Sequence, residues 1–443
     1  MYSMVLADVF KRWQALRGNQ AFMCTGTDEH GMKVQLAAYA AGVTPEQMCD
    51  ENAAKFEHLA RTANIDENRF IRTTDPDHRL AVEHFWALLQ ERGLIYETRH
   101  AGWYSVSDEC FYPESQILKE KEPFSGEVYM VSMESRNKVQ WIEEKNYCFR
   151  LTAFRDRLLE FYKANPGWIE PAYRLNEVVD WVTNHLEDLS ISRPSQRLSW
   201  GIRVPHDPSQ TIYVWVDALI NYLTAAGFPS SPRGDPPATA VWPADLQVIG
   251  KDILRFHCVY WPALLMALDL PLPKKMLAHS HWTLNQRKMS KSLGNVVDPV
   301  QALSRWGTDG TRFYLLFEGG IVDDASYNND VLMVKYKKYL QGGIGNLLNR
   351  VAKTSRWVLE EIVEESMRSS PGTVMENLPP GLQSPMADLE ATMAALPARV
   401  AGFMDKQDPV SAIREVFKLV TSVRRPLGRA GSGLFSISPI SRC

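Results

Sequence analysis

Cysteine is scarce and scattered. The six positions, 24, 49, 110, 148, 258 and 443, include no pair at Cys-x-x-Cys spacing, so a zinc knuckle has no ligand set. Dispersal of this kind suits a compartment in which thiols stay reduced. Long apolar runs are missing as well. The longest block, residues 261–268, is interrupted by Pro262 and bounded by Asp269, well short of the roughly 20 residues a membrane-spanning helix needs, so no membrane partner is expected. Neither sign of charge dominates: 49 basic against 52 acidic residues leave a net charge of −3. That balance excludes a uniformly basic nucleic-acid binder. DNA is not expected as a partner, and any RNA contact must use a local patch. The N-terminus carries neither an Arg/Ser-rich leader nor a signal peptide, and no internal repeat is visible.

What is present is an ordinary soluble composition, 45% hydrophobic over 443 residues, enough for about three domains. The chain opens on an amphipathic helix whose Val5, Phe10, Trp13 and Leu16 fall on one face. A strand is expected at 21–24 and a helix from 32 to 39. Thr44-Pro45-Glu46-Gln47 has the form of a capping box, and residues 74–77 open another helix that ends near Gly93. Helix alternating with short strand is the pattern of an open parallel α/β sheet. Residues 97–148 turn polar and aromatic and read as a β-rich insertion, with helices near 152–164 and 176–186. Strands are then expected at 211–216, 247–250 and 276–279, and a helix over 253–265. From 331 on the chain reads as helical. Residues 331–359 hold six basic residues and no acid, 366–385 read as a loop, a last helix runs near 409–422, and the Gly/Ser/Arg-rich tail reads as disordered. Ligands of doubly wound sheets bind beyond the carboxyl ends of the strands, where this reading puts Asp28, Trp215, Gly250 and His279.

Residues 288–292, Lys-Met-Ser-Lys-Ser, carry the sharpest chemical signal. Two lysines flanked by hydroxyls on a loop can wrap a triphosphate and offset the charge that builds as pyrophosphate departs. The competing reading is a solvated basic turn. The string is similar to the second signature of the class I aminoacyl-tRNA synthetases. Together with residues 25–31 (TGTDEHG), 191–193 (ISR), 213–218 (YVWVDA), 250–253 (GKDI) and His257, it makes the chain resemble the methionyl-tRNA synthetases from residue 2 to about 422. Residues 102–110 (GWYSVSDEC) stand where relatives carry zinc-knuckle cysteines, and only Cys110 is present. That departure, with 279–282 (HSHW), resembles the mitochondrial branch.

The resemblance implies an α/β fold: a class I Rossmann-like core with a connective-peptide insertion, followed by an all-α anticodon-binding domain. It divides the chain into a first core half (1–96), the insertion (97–190), a second core half (191–285), the lysine loop and stem-contact region (286–335), an incomplete helical domain (336–422) and a tail (423–443). It implies methionine, ATP with Mg2+ as substrate complex, and tRNA(Met) as partners, no structural zinc, and the mitochondrial matrix as location. Asp28 would accept the α-ammonium of methionine; otherwise it is a helix N-cap. Trp215, Leu219 and Tyr222, with Ile253 and His257, would line the thioether pocket, since aromatic edges suit polarizable sulfur; otherwise the aromatics are core and His257 a satisfied core histidine. Gly250 would let a ligand approach the backbone, and Asp252 would sit near the ribose. Arg193 and Asp252 would lie near the reacting groups, with a structural ion pair as the other reading. Lys288 and Lys291 would meet the phosphates. Asn346 and Arg350, four residues apart on one helix face, would read the anticodon; otherwise they belong to a solvated face.

Two departures shape the functional expectation. The family's first signature, His-x-Gly-His, is absent ahead of the first helix, and its Pro-Trp motif is absent after about Thr421. The chain is therefore expected to be shortened at both ends, to lack the first strand of the sheet, and to activate methionine poorly or not at all. The expected function is methionine–tRNA ligase in mitochondrial translation; the alternative is an impaired fragment that only binds tRNA or another partner. Ligases for leucine, isoleucine or valine carry a much larger insertion than the 187 positions between Asp28 and Trp215.

Overall fold

The computed structural model describes residues 1–122, 126–229, 241–284, 287–289, 296–352, 361, 364, 367–368 and 380–429. Lys291 lies outside these, as does the tail from 430 on, and Lys288 is described by its backbone alone. The chain forms two compact units. One holds Met1, Ser3 and Lys11–His279; the other holds Tyr2, Met4–Phe10 and the described residues from Ser280 on. No helix among the described residues is long and apolar enough to cross a membrane.

Helix α1 (Tyr2–Leu16) buries Tyr2, Met4, Val5, Leu6 and Asp8. Of the expected stripe only Val5 is fully buried, and Leu16 is 79% exposed. Strand β1 is Cys24–Thr27, three residues later than apolar character alone suggests. Its threonines suit a pleated, half-buried strand, and it pairs in parallel with β2 (Arg69–Arg72), Cys24 opposite Arg69 and Thr27 opposite Arg72. Between them run α2 (Met32–Ala41) and α3 (Pro45–Thr62). The α3 capping box is complete: the Gln47 N–H donates to Thr44 Oγ1 and the Thr44 N–H to Gln47 Oε1, both at 3.2 Å. Helix α4 (Pro76–Glu91) buries Phe85, Trp86 and Leu89.

The insertion is β-rich, as its aromatic, turn-rich sequence suggests, and antiparallel. Strands β3 (Ile95–Ser105), β4 (Cys110–Tyr112), β5 (Ile117–Lys121), β6 (Val128–Ser132) and β7 (Lys138–Phe149) take the order β4-β3-β7-β6-β5. The turn between β3 and β4 is tied to the turn between β6 and β7 by Asp108, whose carboxylate accepts from Tyr112 Oη (3.0 Å), Ser135 Oγ (2.5 Å) and Asn137 Nδ2 (2.6 Å).

Next come α5 (Arg155–Ala164), β8 (Ile169–Glu170), α6 (Tyr173–His185), β9 (Leu189–Ser190), β10 (Ser192–Pro194), β11 (Arg203–Val204) and β12 (Asp207–Ile212). The strand expected at 211–216 ends at Ile212, and α7 (Val214–Ala225) takes over. Eight of its twelve residues are buried. A helix apolar on every side is a core helix, and its Val/Ile/Trp composition imitates a strand over a short window. Strand β13 (Gln247–Gly250) is followed by a 3₁₀ turn at Lys251–Ile253 and a π segment at Phe256–Tyr260, and only then by α8 (Trp261–Ala267). The helix expected over 253–265 is present from Leu254 on, but it widens into a π segment at Phe256–Tyr260 ahead of Pro262, whose ring and missing N–H disfavour the regular ladder. Strand β14 (Met276–His279) lies between β13 and β8, all parallel. The parallel strands therefore form two pieces, β1–β2 and β13–β14–β8; among the described residues β1 pairs only with β2 and β13 only with β14. One apolar core packs α4, α7, α8 and the insertion around Trp86, Phe149, Tyr162 and Trp261.

In the second unit β15 (Trp282–Leu284) lies between β16 (Arg287–Lys288) and β17 (Ala325–Tyr327). Helix α9 (Pro299–Glu318), capped by Asp298 and broken at Gly307, is followed by α10 (Asn329–Lys335), a π segment at Tyr336–Gly345 and α11 (Asn346–Ala352). Helix α12 (Pro380–Asp405) begins inside the stretch that reads as a loop. Helix α13 (Pro409–Arg429) runs seven residues past 422, through Pro426 and Gly428. Phe313, Phe317 and Phe417 pack these helices together, and Asp8, fully buried, is ion-paired with Arg312.

Asp108→Ala should lower the unfolding free energy by about 1.5–3 kcal/mol, the worth of hydrogen bonds to a charged group. Urea denaturation reads this directly, and an unchanged midpoint would show that Asp108 does not hold the two turns.

Candidate active site

The site grows from the loop between β1 and α2, Asp28-Glu29-His30-Gly31. Glu29 is buried and fully engaged. Arg72 donates to both its oxygens (Nε 2.8 Å, Nη2 3.0 Å), and the hydroxyls of Thr27 and Thr74 add 2.7 and 2.5 Å bonds. The backbone then turns at Gly31, whose φ of 108° favours glycine. Glu109 of the insertion reaches over this glycine to accept the Lys33 N–H at 2.8 Å, satisfying the first turn of α2. A Cβ on Gly31 would fall 2.4 Å from Glu109 Oε1. Asp28 is therefore not the cap of α2: the N-cap position is Gly31 and the carboxylate serving that turn is Glu109.

Asp28 is exposed to solvent yet closely surrounded by protein. Loss of water, then the charges of Asp217, Glu109 and Glu29, push its carboxyl well above the usual carboxylate range, against one backbone hydrogen bond from His30. No ion pair reaches it among the described residues.

Asp217, on α7, is completely buried. Its Oδ2 accepts from His30 Nδ1 at 2.6 Å and its Oδ1 from His78 Nε2 at 2.8 Å, while His78 Nδ1 lies 2.9 Å from Thr224 Oγ1. Burial presses the Asp217 carboxyl upward, but the opposing charge and hydrogen bonds of His30 and His78 outweigh it and hold the group below the usual range.

Trp215, Leu219 and Tyr222 lie at i, i+4 and i+7 on α7, one helix face. Trp215 stacks on Phe256 with centroids 3.7 Å apart and planes 8° off parallel. Tyr222 Oη donates to His257 Nε2 at 2.8 Å, and His257 Nδ1 donates to the Ile253 carbonyl at 3.0 Å. His257 is thus a neutral imidazole, and burial lowers its pKa to about 4. The structure brings Trp215, Tyr222, Ile253 and His257 together into an apolar wall, with Leu219 packed into the core behind it. Gly250 ends β13, and the Asp252 carboxylate lies over it, 2.7 Å from where a Cβ would stand. His279, beside it at the end of β14, is hydrogen-bonded to Ser3 Oγ at 2.7 Å.

Arg193 is placed elsewhere. It is buried, its Nη1 donates to Ser190 Oγ (2.9 Å) and the Ser192 carbonyl (2.6 Å), and its guanidinium lies between the rings of Tyr104, Phe111 and Tyr213. Its carboxylate neighbour is Glu144 at 3.7 Å, not Asp252. A cavity of about 210 Å³ between the insertion sheet and α6 is lined by Arg193, Trp103 and Tyr213, and by none of Asp28, Trp215 or His257. Cys110 is a buried thiol that accepts from Arg255 Nη2 at 3.3 Å, and burial raises its pKa to about 11. No group of three or more potential metal ligands occurs among the described residues. In the second unit Asn346 is half-buried and Arg350 exposed on α11.

Sequence reasoning passed over His30, His78, Asp217, Glu109 and Phe256. A signal existed for Asp217: it is the one charge in the apolar run 211–220, and a charge there demands partners. Nothing in sequence marks Glu109, which meets α2 only through the fold.

Known proteins resemble the chain closely. The family profile described as tRNA synthetases class I (M) matches residues 1–352. A probable mitochondrial methionine–tRNA ligase of Neurospora crassa is 65% identical over 364 residues, 82% of this chain and 58% of that protein. One from Schizosaccharomyces pombe is 44% identical across 96% of this chain and 76% of its own length. Among solved structures, Mycobacterium tuberculosis methionyl-tRNA synthetase bound by methionyl-adenylate superposes with a TM-score of 0.84 at 38% identity, covering 97% of this chain and 80% of that one.

Gly31→Ala should destabilise the protein by about 1–3 kcal/mol through the strained φ and the clash with Glu109. The double variant Gly31→Ala/Glu109→Ala should recover part of that loss in thermal unfolding. Strict additivity would mean the two residues do not meet.

Proposed function

The chain belongs to the class I tRNA synthetases of the methionine type, and from that membership we propose that it activates methionine with ATP and passes the methionyl group to tRNA(Met) in the mitochondrial matrix. The observation that carries the reading is Asp28, a carboxylate without an ion-pair partner among the described residues, linked through His30 and Asp217 to the helix that bears the apolar wall. A cation on one side and a polarizable apolar chain on the other describe a zwitterionic thioether amino acid.

In this reading Asp28 takes the α-ammonium. Trp215, Tyr222, Ile253 and His257 receive the side chain, and Leu219 backs them. The neutral His257 keeps that end free of charge. Gly250, with the Asp252 carboxylate folded over it, lies beside the nucleotide, and Asp252 meets the ribose. Lys288 and Lys291 supply charge to the phosphates of ATP, which arrives with Mg2+ as the substrate complex. The methionine carboxylate attacks the α-phosphorus, methionyl-adenylate forms and pyrophosphate leaves. A terminal tRNA hydroxyl then takes the acyl group and AMP departs. No covalent bond to the protein is needed; positioning and electrostatics supply the rate. Arg193 supports the insertion beneath the start of α7 rather than touching the reacting atoms. Asn346 and Arg350 face the anticodon.

The test is methionine-dependent ATP–pyrophosphate exchange by the 443-residue chain beside filter binding of tRNA. Methionine alone among amino acids should support exchange. Retained tRNA binding without exchange would replace this reading with that of a binding protein.

Asp28→Ala should lower kcat/KM for methionine by about 30- to 1,000-fold, the scale of removing one partner of a buried charge pair. In the parent, methionine KM should climb as pH falls through the raised pKa of Asp28, because the protonated carboxyl has no charge to offer. Asp28→Asn should flatten that profile; a profile that persists in the variant assigns the titration to another group.

Arg350→Ala should reduce tRNA charging while leaving exchange intact. Equal losses in both assays would place Arg350 outside tRNA recognition.

A further inference from the structure

His30 makes two contacts at once. Its backbone N–H donates to the Asp28 carboxylate, and its ring Nδ1 donates to Asp217 Oδ2 at 2.6 Å. Asp217 lies on α7 between Trp215 and Leu219, and its other oxygen is held by His78 of α4 at 2.8 Å. His78 in turn lies 2.9 Å from Thr224, two turns further along the same helix. His30, His78, Asp217 and Thr224 are all at most 4% exposed. The ring edge of His30 also packs against Trp200, at a centroid distance of 5.5 Å. One buried carboxylate therefore joins the loop carrying Asp28, helix α4 and the helix carrying the apolar wall.

The cost of such an arrangement is high. A charge stripped of water is tolerated only when it is paired and hydrogen-bonded, and a bridging network deep in a protein rigidifies what it joins. A methyl-bearing residue at 217 would fill the same space in an apolar helix without that cost. Fixing only the fold does not require two imidazoles reaching one carboxylate from different elements. Fixing the span between Asp28 and α7 does, because each ring sets the position of one element against the same atom pair.

The geometry points to His30, Asp217 and His78 as a positioning triad that sets the distance between Asp28 and the apolar face of α7, so that an amino acid is gripped only when its ammonium and its side chain are correctly spaced. The inference rests on the reading of Asp28 as the ammonium acceptor. None of the three residues touches substrate in it; they act through Asp28 and through the wall.

The experiment is calorimetric binding of methionine and of its deaminated analogue, which keeps the carboxylate and the thioether, to the parent chain and to Asp217→Asn. The amide keeps the size of the side chain but presents an N–H toward one of the two ring donors, so one bond is lost. The parent should prefer methionine. In Asp217→Asn methionine should bind about 10- to 100-fold more weakly, the loss expected for one hydrogen bond to a charged group. The analogue, which never engages Asp28, should bind both proteins alike. A purely structural triad would weaken both ligands equally or neither, and either result overturns the proposal. A parent that binds the two ligands equally would refute the ammonium role of Asp28 itself, and the triad with it.

If Asp217→Asn does not fold, His78 decides. His78→Gln keeps a donor for Asp217 and should retain most of the preference for methionine. His78→Leu should lose it while thermal unfolding still shows a cooperative transition. Equal preference in the two folded variants would also overturn the assignment.

Discussion

Like charges crowded into a water-poor space repel strongly, and four carboxylates gather around the loop between β1 and α2. How each is compensated determines what the site can do. Glu29 is answered by the Arg72 guanidinium and two hydroxyls. Asp217 is answered by two imidazoles. Glu109 is answered by the N-terminal turn of α2, where backbone N–H groups favour an anion. Asp28 is left with a backbone hydrogen bond and with its three neighbours' repulsion. Burial still leaves the Glu109 carboxyl above the usual range despite its backbone partners, and the deficit is greatest at Asp28. Protonation relieves it, and so does a cation from outside.

The apolar side of the site follows the opposite logic. Tyr222 and His257 are polar residues in an otherwise apolar wall, and each satisfies the other. The phenol donates to the ring, the ring donates to the Ile253 carbonyl, and no donor is left over. Burial keeps the imidazole neutral. Trp215 is held by its stack on Phe256, and its buried indole N–H has no hydrogen-bond partner among the described residues. The insertion contributes at a distance. Arg255 neighbours Phe256 and donates to Cys110, and its guanidinium lies near Glu134. Contacts of β4 with the segment after β13 therefore come from a thiol and a guanidinium.

The α/β class, the β-rich character of residues 97–148, the α3 capping box and strands β13 and β14 were all legible in the residues, because each depends on local pattern. What escaped depended on partners distant in sequence. Asp217 and His78 are 139 positions apart, and nothing near either announces the other. Glu109 reaches Lys33 across 76 positions. Arg193 was drawn toward Asp252 by family expectation, whereas its Ser190, Ser192 and Glu144 partners are set by how β7, β9 and β10 meet. The start of α1 misled for a related reason: a helical face read from Val5, Phe10, Trp13 and Leu16 assumes one buried side, yet Met4, Leu6 and Asp8 are buried as well.

The error over residues 211–216 has the most physical content. In a strand, side chains alternate, so Trp215, Asp217 and Leu219 would share one face. A carboxylate would then sit between two apolar pocket residues and would have to be satisfied inside the pocket. In a helix each residue turns by about 100°. Trp215, Leu219 and Tyr222 then fall within an arc of about 60°, while Asp217 points about 200° away from Trp215. The same short motif can thus offer an apolar face to the site and a charged one to the interior. The two requirements, a wall without charge and an anchor with charge, are compatible only because the segment is helical. An all-round apolar helix with one acid on its inner side reads as strand by composition, and the acid is the feature that should have raised the question.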